Sequence, residues 1–122
     1  MGSSPLNPEY VIVLTTWPVD GDAPAFAQAL VSERLAACVN ILAEMQSVYM
    51  WEGKLEQEPE RQIVIKTTAE RLVGLWERVR ELHPYEVPEF LVLPIVDGND
   101  VYLRWIRDAT ASEGEHGLIG TA

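Results

Sequence analysis

With 122 residues, 48% of them hydrophobic, the chain is one domain's worth and can fill a core without disulfides. Its formal net charge of −10 excludes a phosphate-binding surface, which needs clustered Lys and Arg to displace counterions, so no nucleic acid partner is expected. The same acidic field keeps a protein soluble and attracts cations.

A lone cysteine, Cys38, allows no intrachain disulfide and suits a reducing, cytoplasmic setting. No run approaches the ~20 apolar residues needed to span a bilayer, and "MGSSPLNPEY" lacks the basic-then-apolar pattern of a secretory signal, so no membrane partner is expected.

In chain order, residues 1–9 read as a flexible N-terminal segment and 10–112 as the folded domain. "YVIVLTT" (Tyr10 to Thr16) is apolar, β-branched and bounded by Pro8 and Pro18, which predicts a buried central strand. Asp22 is placed to cap a helix with Pro24 in its first turn, and Phe26, Ala27, Leu30, Val31, Arg34 and Leu35 follow at helical spacing. "CVNILAEMQSVYMWEGKLEQEPERQIVIKTT" then gives two extended runs around Glu52-Gly53-Lys54, a hairpin whose turn uses the freedom of glycine. Thr67 and Glu70 have capping-box spacing before Leu72, Leu75, Trp76, Val79 and Leu82, which share one helical face. Pro84 stops that helix near His83. "EFLVLPIV" predicts another buried strand with an edge or bulge near Pro94, and "NDVYLRWIRDA" a short final helix capped by Asn99. The tail, 113–122, reads as flexible.

The order strand, helix, strand, strand, helix, strand predicts an α+β fold, the ferredoxin-like βαββαβ sandwich with an antiparallel sheet, a long hairpin and a short C-terminal helix. The hairpin arms, Val39 to Trp51 and Leu55 to Thr67, would each reach about 40 Å against the roughly 17–20 Å of an ordinary strand. Their distal half carries Met45, Val48, Tyr49, Met50 and Trp51, apolar residues that point to both faces. Either another subunit covers it, or a bulge folds it back on its own chain.

"ERLAACVNI", "SVYMWEGKLE", "VIKTT", "HPYEVPEFLVLPI" and "YLRWI", in this order and spacing, resemble the CutA proteins, the divalent-cation tolerance family. The resemblance covers Tyr10 to Ala109. It implies a ferredoxin-like subunit in a tight homotrimer with hairpins shared across interfaces, and a link to copper and other divalent metals. Some bacterial members are proposed to bind copper through a cysteine late in the first strand and paired histidines before the Pro-Tyr step. Thr15 and Leu82 stand at two of those positions here, and His83 remains.

The candidate metal ligands are His83 with Glu86 and Glu89, and Cys38. An imidazole at a helix end can ligate a soft cation or merely cap the helix, and the carboxylates add only hard oxygen donors, so the set is incomplete within one chain. Cys38, among Ala36, Ala37 and Val39, is either a small core hydrophobe or a thiol ligand. His116 in the tail reads as solvated. Copper(II) or another divalent cation, weakly bound, is the expected ligand, with no organic cofactor. Tyr49, Trp51, Lys66 and Tyr85 mix aromatic walls with charge, as an intersubunit cleft or a plain interface would. No nucleophile triad, P-loop or dinucleotide fingerprint is present, so no enzyme activity is expected. The competing readings are a trimer sensing a small metabolite in intersubunit clefts, by analogy with PII signalling proteins, and a trimeric scaffold for a protein partner.

Overall fold

The computed structural model describes residues 8–112. The elements are β1 (Tyr10–Pro18), α1 (Ala23–Ser32), β2 (Cys38–Trp51), β3 (Lys54–Thr68), a 3-10 turn (Ala69–Arg71), α2 (Leu72–Leu82), β4 (Leu91–Pro94) and α3 (Asp100–Thr110). They build one antiparallel four-stranded sheet in the order β2-β3-β1-β4, the expected ferredoxin-like arrangement. The tail, with His116, lies outside the described residues.

Alternation along the strands divides the sheet into two unlike faces. On the first, Val11, Val13 and Trp17 of β1 and Ile63 and Ile65 of β3 pack against Phe26 and Leu30 of α1 and Leu75 and Val79 of α2. This is the main core. On the second, Tyr10 and Ala37 meet Ile106 of α3, so α3 sits on the face opposite the other two helices.

The α1 cap is as expected: Asp22 Oδ1 accepts from the Ala25 amide at 3.0 Å. The helix ends at Ser32, earlier than its apolar spacing suggests, because Arg34 turns left-handed at φ 62°. The Leu35 amide then donates to the Leu30 carbonyl at 2.9 Å and the Arg34 amide to that of Val31 at 3.0 Å, a Schellman ending with arginine where glycine is usual. The capping box at Thr67 is not formed. Strand β3 runs on to Thr68, and the Thr67 hydroxyl donates instead to the Leu35 carbonyl at 2.8 Å, tying the strand to the end of α1.

The hairpin turns through Glu52 (φ 51°) and Gly53 (φ 81°), both left-handed as a two-residue turn joining twisted strands requires. Its register breaks once, between Ile41 and Glu44, where Leu42 and Ala43 oppose Gln62 in a β-bulge. The bulge does not fold the distal arms back over their own chain: Trp51 remains 51% and Leu55 73% exposed. Strand β4 also differs from expectation. It is a four-residue edge strand rather than a buried one, with Leu91 54% exposed, because only β1 flanks it and no helix covers its side of the second face.

Candidate functional site

Strand β4 pairs with β1 only from Val11 to Leu14, which leaves the end of β1 with a free edge. The segment that leaves α2 fills it. Pro84 forbids another helical turn, and His83, the C-cap, swings to ψ 135° while its amide still closes on the Val79 carbonyl at 2.8 Å. Its ring enters the core edge, 7% exposed, edge-on to Trp17 at 4.7 Å between centroids; Trp17 is stacked on Phe26 at 4.2 Å.

Both imidazole nitrogens are engaged. Nε2 lies 2.7 Å from the Thr16 carbonyl oxygen, which can only accept, so Nε2 carries the proton. The Tyr85 amide donates to Nδ1 at 3.1 Å, so that nitrogen holds the lone pair. The ring is therefore the neutral Nε2–H tautomer, consistent with burial lowering its pKa against the opposing pull of the Thr16 hydrogen bond and the Glu60 charge.

From His83 the chain crosses to the second face. There the Tyr85 hydroxyl donates to Glu60 Oε2 at 2.8 Å, and the Thr16 hydroxyl donates to the same oxygen at 3.2 Å. His83, Thr16, Glu60 and Tyr85 thus close a ring of hydrogen bonds around the end of β1. Burial raises the Tyr85 phenol well above its usual value, and the Glu60 hydrogen bond and charge add to the effect. Beside this ring Gln62 Nε2 donates to the Thr15 carbonyl at 2.7 Å and to Glu89 Oε2 at 2.9 Å, pinning the far end of the segment.

Between this segment and the hairpin lies a cleft of about 810 Å³. One wall is Tyr85, Glu86, Val87, Pro88 and Glu89; the other is Met45, Ser47, Val48, Tyr49 and Trp51; the floor is Thr16, Glu58, Glu60 and Gln62. The candidate cleft residues Tyr49, Trp51 and Tyr85 are thus brought together. Lys66 is not among them. It sits at the other end of β3 opposite Cys38, with Nζ 5.9 Å from the ring centroid of Tyr102 in α3.

The candidate ligands divide likewise. Glu86 and Glu89 line the cleft, and His83 lies behind its floor, facing the core. Cys38 pairs with Lys66, four residues along β3 from the Gln62 of the cleft, roughly 13 Å at ~3.3 Å per residue. Thr15 is fully buried and Leu82 packs against the core, so neither supplies a donor for a metal. Among the described residues no three His, Cys, Asp or Glu side chains converge to hold a metal ion. A soft-metal centre does not fit the residues of one chain.

Glu60, Glu58, Thr16 and Gln62 escaped the sequence reading. A two-residue turn at Glu52-Gly53 pairs Trp51 with Lys54, so Tyr49 opposes Glu56, Ser47 opposes Glu58 and Met45 opposes Glu60. Counting outward from the turn would have put those carboxylates on the same face as the aromatic residues.

The sequence model described as "CutA1 divalent ion tolerance protein" matches residues 11–109. The chain belongs to the CutA family. It is 48% identical over 99 residues to the divalent-cation tolerance protein CutA of Thermus thermophilus, covering 81% of this chain and 96% of that one. It is 44% identical over 106 residues to a CutA homolog of Xenopus laevis, covering 87% and 68%. The CutA1 crystal structure from Oryza sativa superimposes with a TM-score of 0.82 at 40% identity, covering 87% of this chain and 97% of that one. CutA is thus a divalent-cation tolerance family rather than a known enzyme family. No helix among the described residues is long and apolar enough to cross a membrane.

Proposed function

We propose that this chain acts as a cytoplasmic, non-enzymatic homotrimer in the response to divalent metal ions. The observation that carries the trimer is the uncovered apolar surface of the single chain. The distal hairpin exposes Val48, Met50, Trp51 and Leu55, and the second sheet face exposes Leu91 and Leu93. Surfaces of this kind on a folded chain mark contacts with other chains. The names of its relatives speak of tolerance to divalent cations.

Within this reading the binding of copper(II) is weak. His83 can meet a metal only by giving up one of its two hydrogen bonds, and Glu86 and Glu89 offer oxygen donors alone. A neighbouring subunit would have to complete the coordination.

The test joins assembly to metal binding. Sedimentation of the full chain at micromolar concentration is expected to give a trimer, and Trp51→Glu to disrupt it, since a charge in a desolvated interface costs several kcal/mol unless paired. Copper titrated into the wild type is expected to bind weakly, and less in His83→Ala. A compact wild-type monomer would refute the assembly. Loss of copper binding in Cys38→Ser but not in His83→Ala would move the metal to the thiol.

A further inference from the structure

Four glutamates line the cleft, and none of its lining residues is a lysine or an arginine. None of Glu58, Glu60, Glu86 and Glu89 forms an ion pair among the described residues. Glu60 is the most telling of them. It is only 9% exposed, and both of its hydrogen bonds, from Thr16 and Tyr85, fall on Oε2. Its other oxygen, Oε1, receives neither of them.

The other half of the lining is aromatic and apolar. Tyr49 and Trp51 stand on the hairpin wall and Tyr85 on the segment wall, with Met45, Val48 and Pro88 between them. Aromatic faces attract cations through their quadrupole, and apolar walls favour a cation that carries hydrocarbon over a hydrated metal ion. A metal would also want three converging donors, which the described residues do not provide. Desolvation raises the Tyr49 phenol first, and the charges of Glu58, Glu56 and Glu60 add to it.

We infer that this cleft is a binding site for a small organic ammonium ion, a primary amine or quaternary ammonium, held by the Tyr49, Trp51 and Tyr85 faces with its charge toward Glu60 and Glu86. The inference goes beyond metal tolerance. The cleft's volume of about 810 Å³ leaves room for an alkyl chain beside the charged head.

Isothermal titration calorimetry on the full-length protein tests it with butylammonium and tetramethylammonium as probes and 1-butanol as the neutral analogue of butylammonium. Butylammonium is expected to bind about tenfold more tightly than 1-butanol, as cation–π attraction and carboxylate pairing add to the apolar contact. Tyr49→Ala is expected to weaken amine binding about tenfold. Glu86→Gln, an exposed change that breaks no hydrogen bond given above, is expected to weaken it about threefold, and added salt should weaken the amine but not the alcohol. Equal binding of the alcohol would overturn the inference, as would amine affinity unchanged in Glu86→Gln and Tyr49→Ala. Amine binding that emerges only in Lys54→Ala or Lys66→Ala would overturn it too, since a second copy's lysine would then be the occupant. Sedimentation of the same samples separates the two readings: a monomer that binds the amines refutes the trimer alone, and a trimer that ignores them refutes the ammonium site alone.

Discussion

Replacing His83 by alanine should cost far more stability than a surface histidine would. The ring contributes one hydrogen bond to the Thr16 carbonyl and one from the Tyr85 amide, each worth about 1 kcal/mol net. Its edge contact with Trp17 adds about 0.5–1.5 kcal/mol, and the void left behind adds to the loss. The sum is about 3–4 kcal/mol, measured as the shift in urea midpoint at unchanged slope at pH 8. Acidification provides a second reading. Burial lowers the His83 pKa in the folded state, so on acidification the unfolded chain takes up a proton first. The contribution of His83 is then fully present above about pH 6.5 and is lost as the pH falls toward the lowered folded value. His116 is common to both proteins, so the gap between wild type and His83→Ala should shrink on acidification. A loss below about 1 kcal/mol at pH 8, or a gap that widens in acid, would refute the hydrogen-bonded, neutral imidazole.

Two further substitutions test the frame around the site. In Gly21→Ala the new methyl would lie 2.6 Å from Trp17 Nε1 and 3.0 Å from its Cδ1, against an indole already stacked on Phe26, so thermal unfolding should show a loss of about 1–3 kcal/mol. Arg34→Gly should stabilise by about 0.5–1 kcal/mol in the same assay, because the left-handed φ of 62° strains arginine and not glycine; a destabilised variant would mean that the Arg34 side chain contributes more than its backbone costs.

Much of the fold was legible because local signals agreed with it. The Asp22 and Asn99 caps, the Glu52-Gly53 turn and the stop at Pro84 all lie where the sequence places them. The misses arose where tertiary contacts overrode a local pattern. Thr67 had a capping partner in sequence but a better acceptor in the Leu35 carbonyl, and the apolar run of β4 resembled a buried strand although it sits at an edge. At the site, His83 could be singled out but its role could not. The hydrogen bonds that occupy its two nitrogens come from its second neighbour and from a strand 67 residues away in sequence, and only the fold brings that strand near. Lys66 lies six residues beyond Glu60 on the same face, so within one chain it stands apart from Tyr49, Trp51 and Tyr85.

The bulge at Leu42 and Ala43 gives these placements one cause. Side chains alternate with a period of two, so one extra residue in β2 moves everything beyond it to the opposite face. Before the bulge Cys38 and Asn40 share the second face with Lys66 and Val64; beyond it Met45, Ser47, Tyr49 and Trp51 do. An unbroken register would instead set Gln46, Val48 and Met50 over the carboxylates and carry Tyr49 and Trp51 to the other side. The acidic and aromatic character of the cleft therefore depends on one inserted residue in β2, while its opposite wall depends on a proline that ends α2 and an imidazole that anchors the chain as it leaves. The hairpin wall stands on exposed strand beyond the bulge, and the segment wall is fastened to the core through His83 and Gln62.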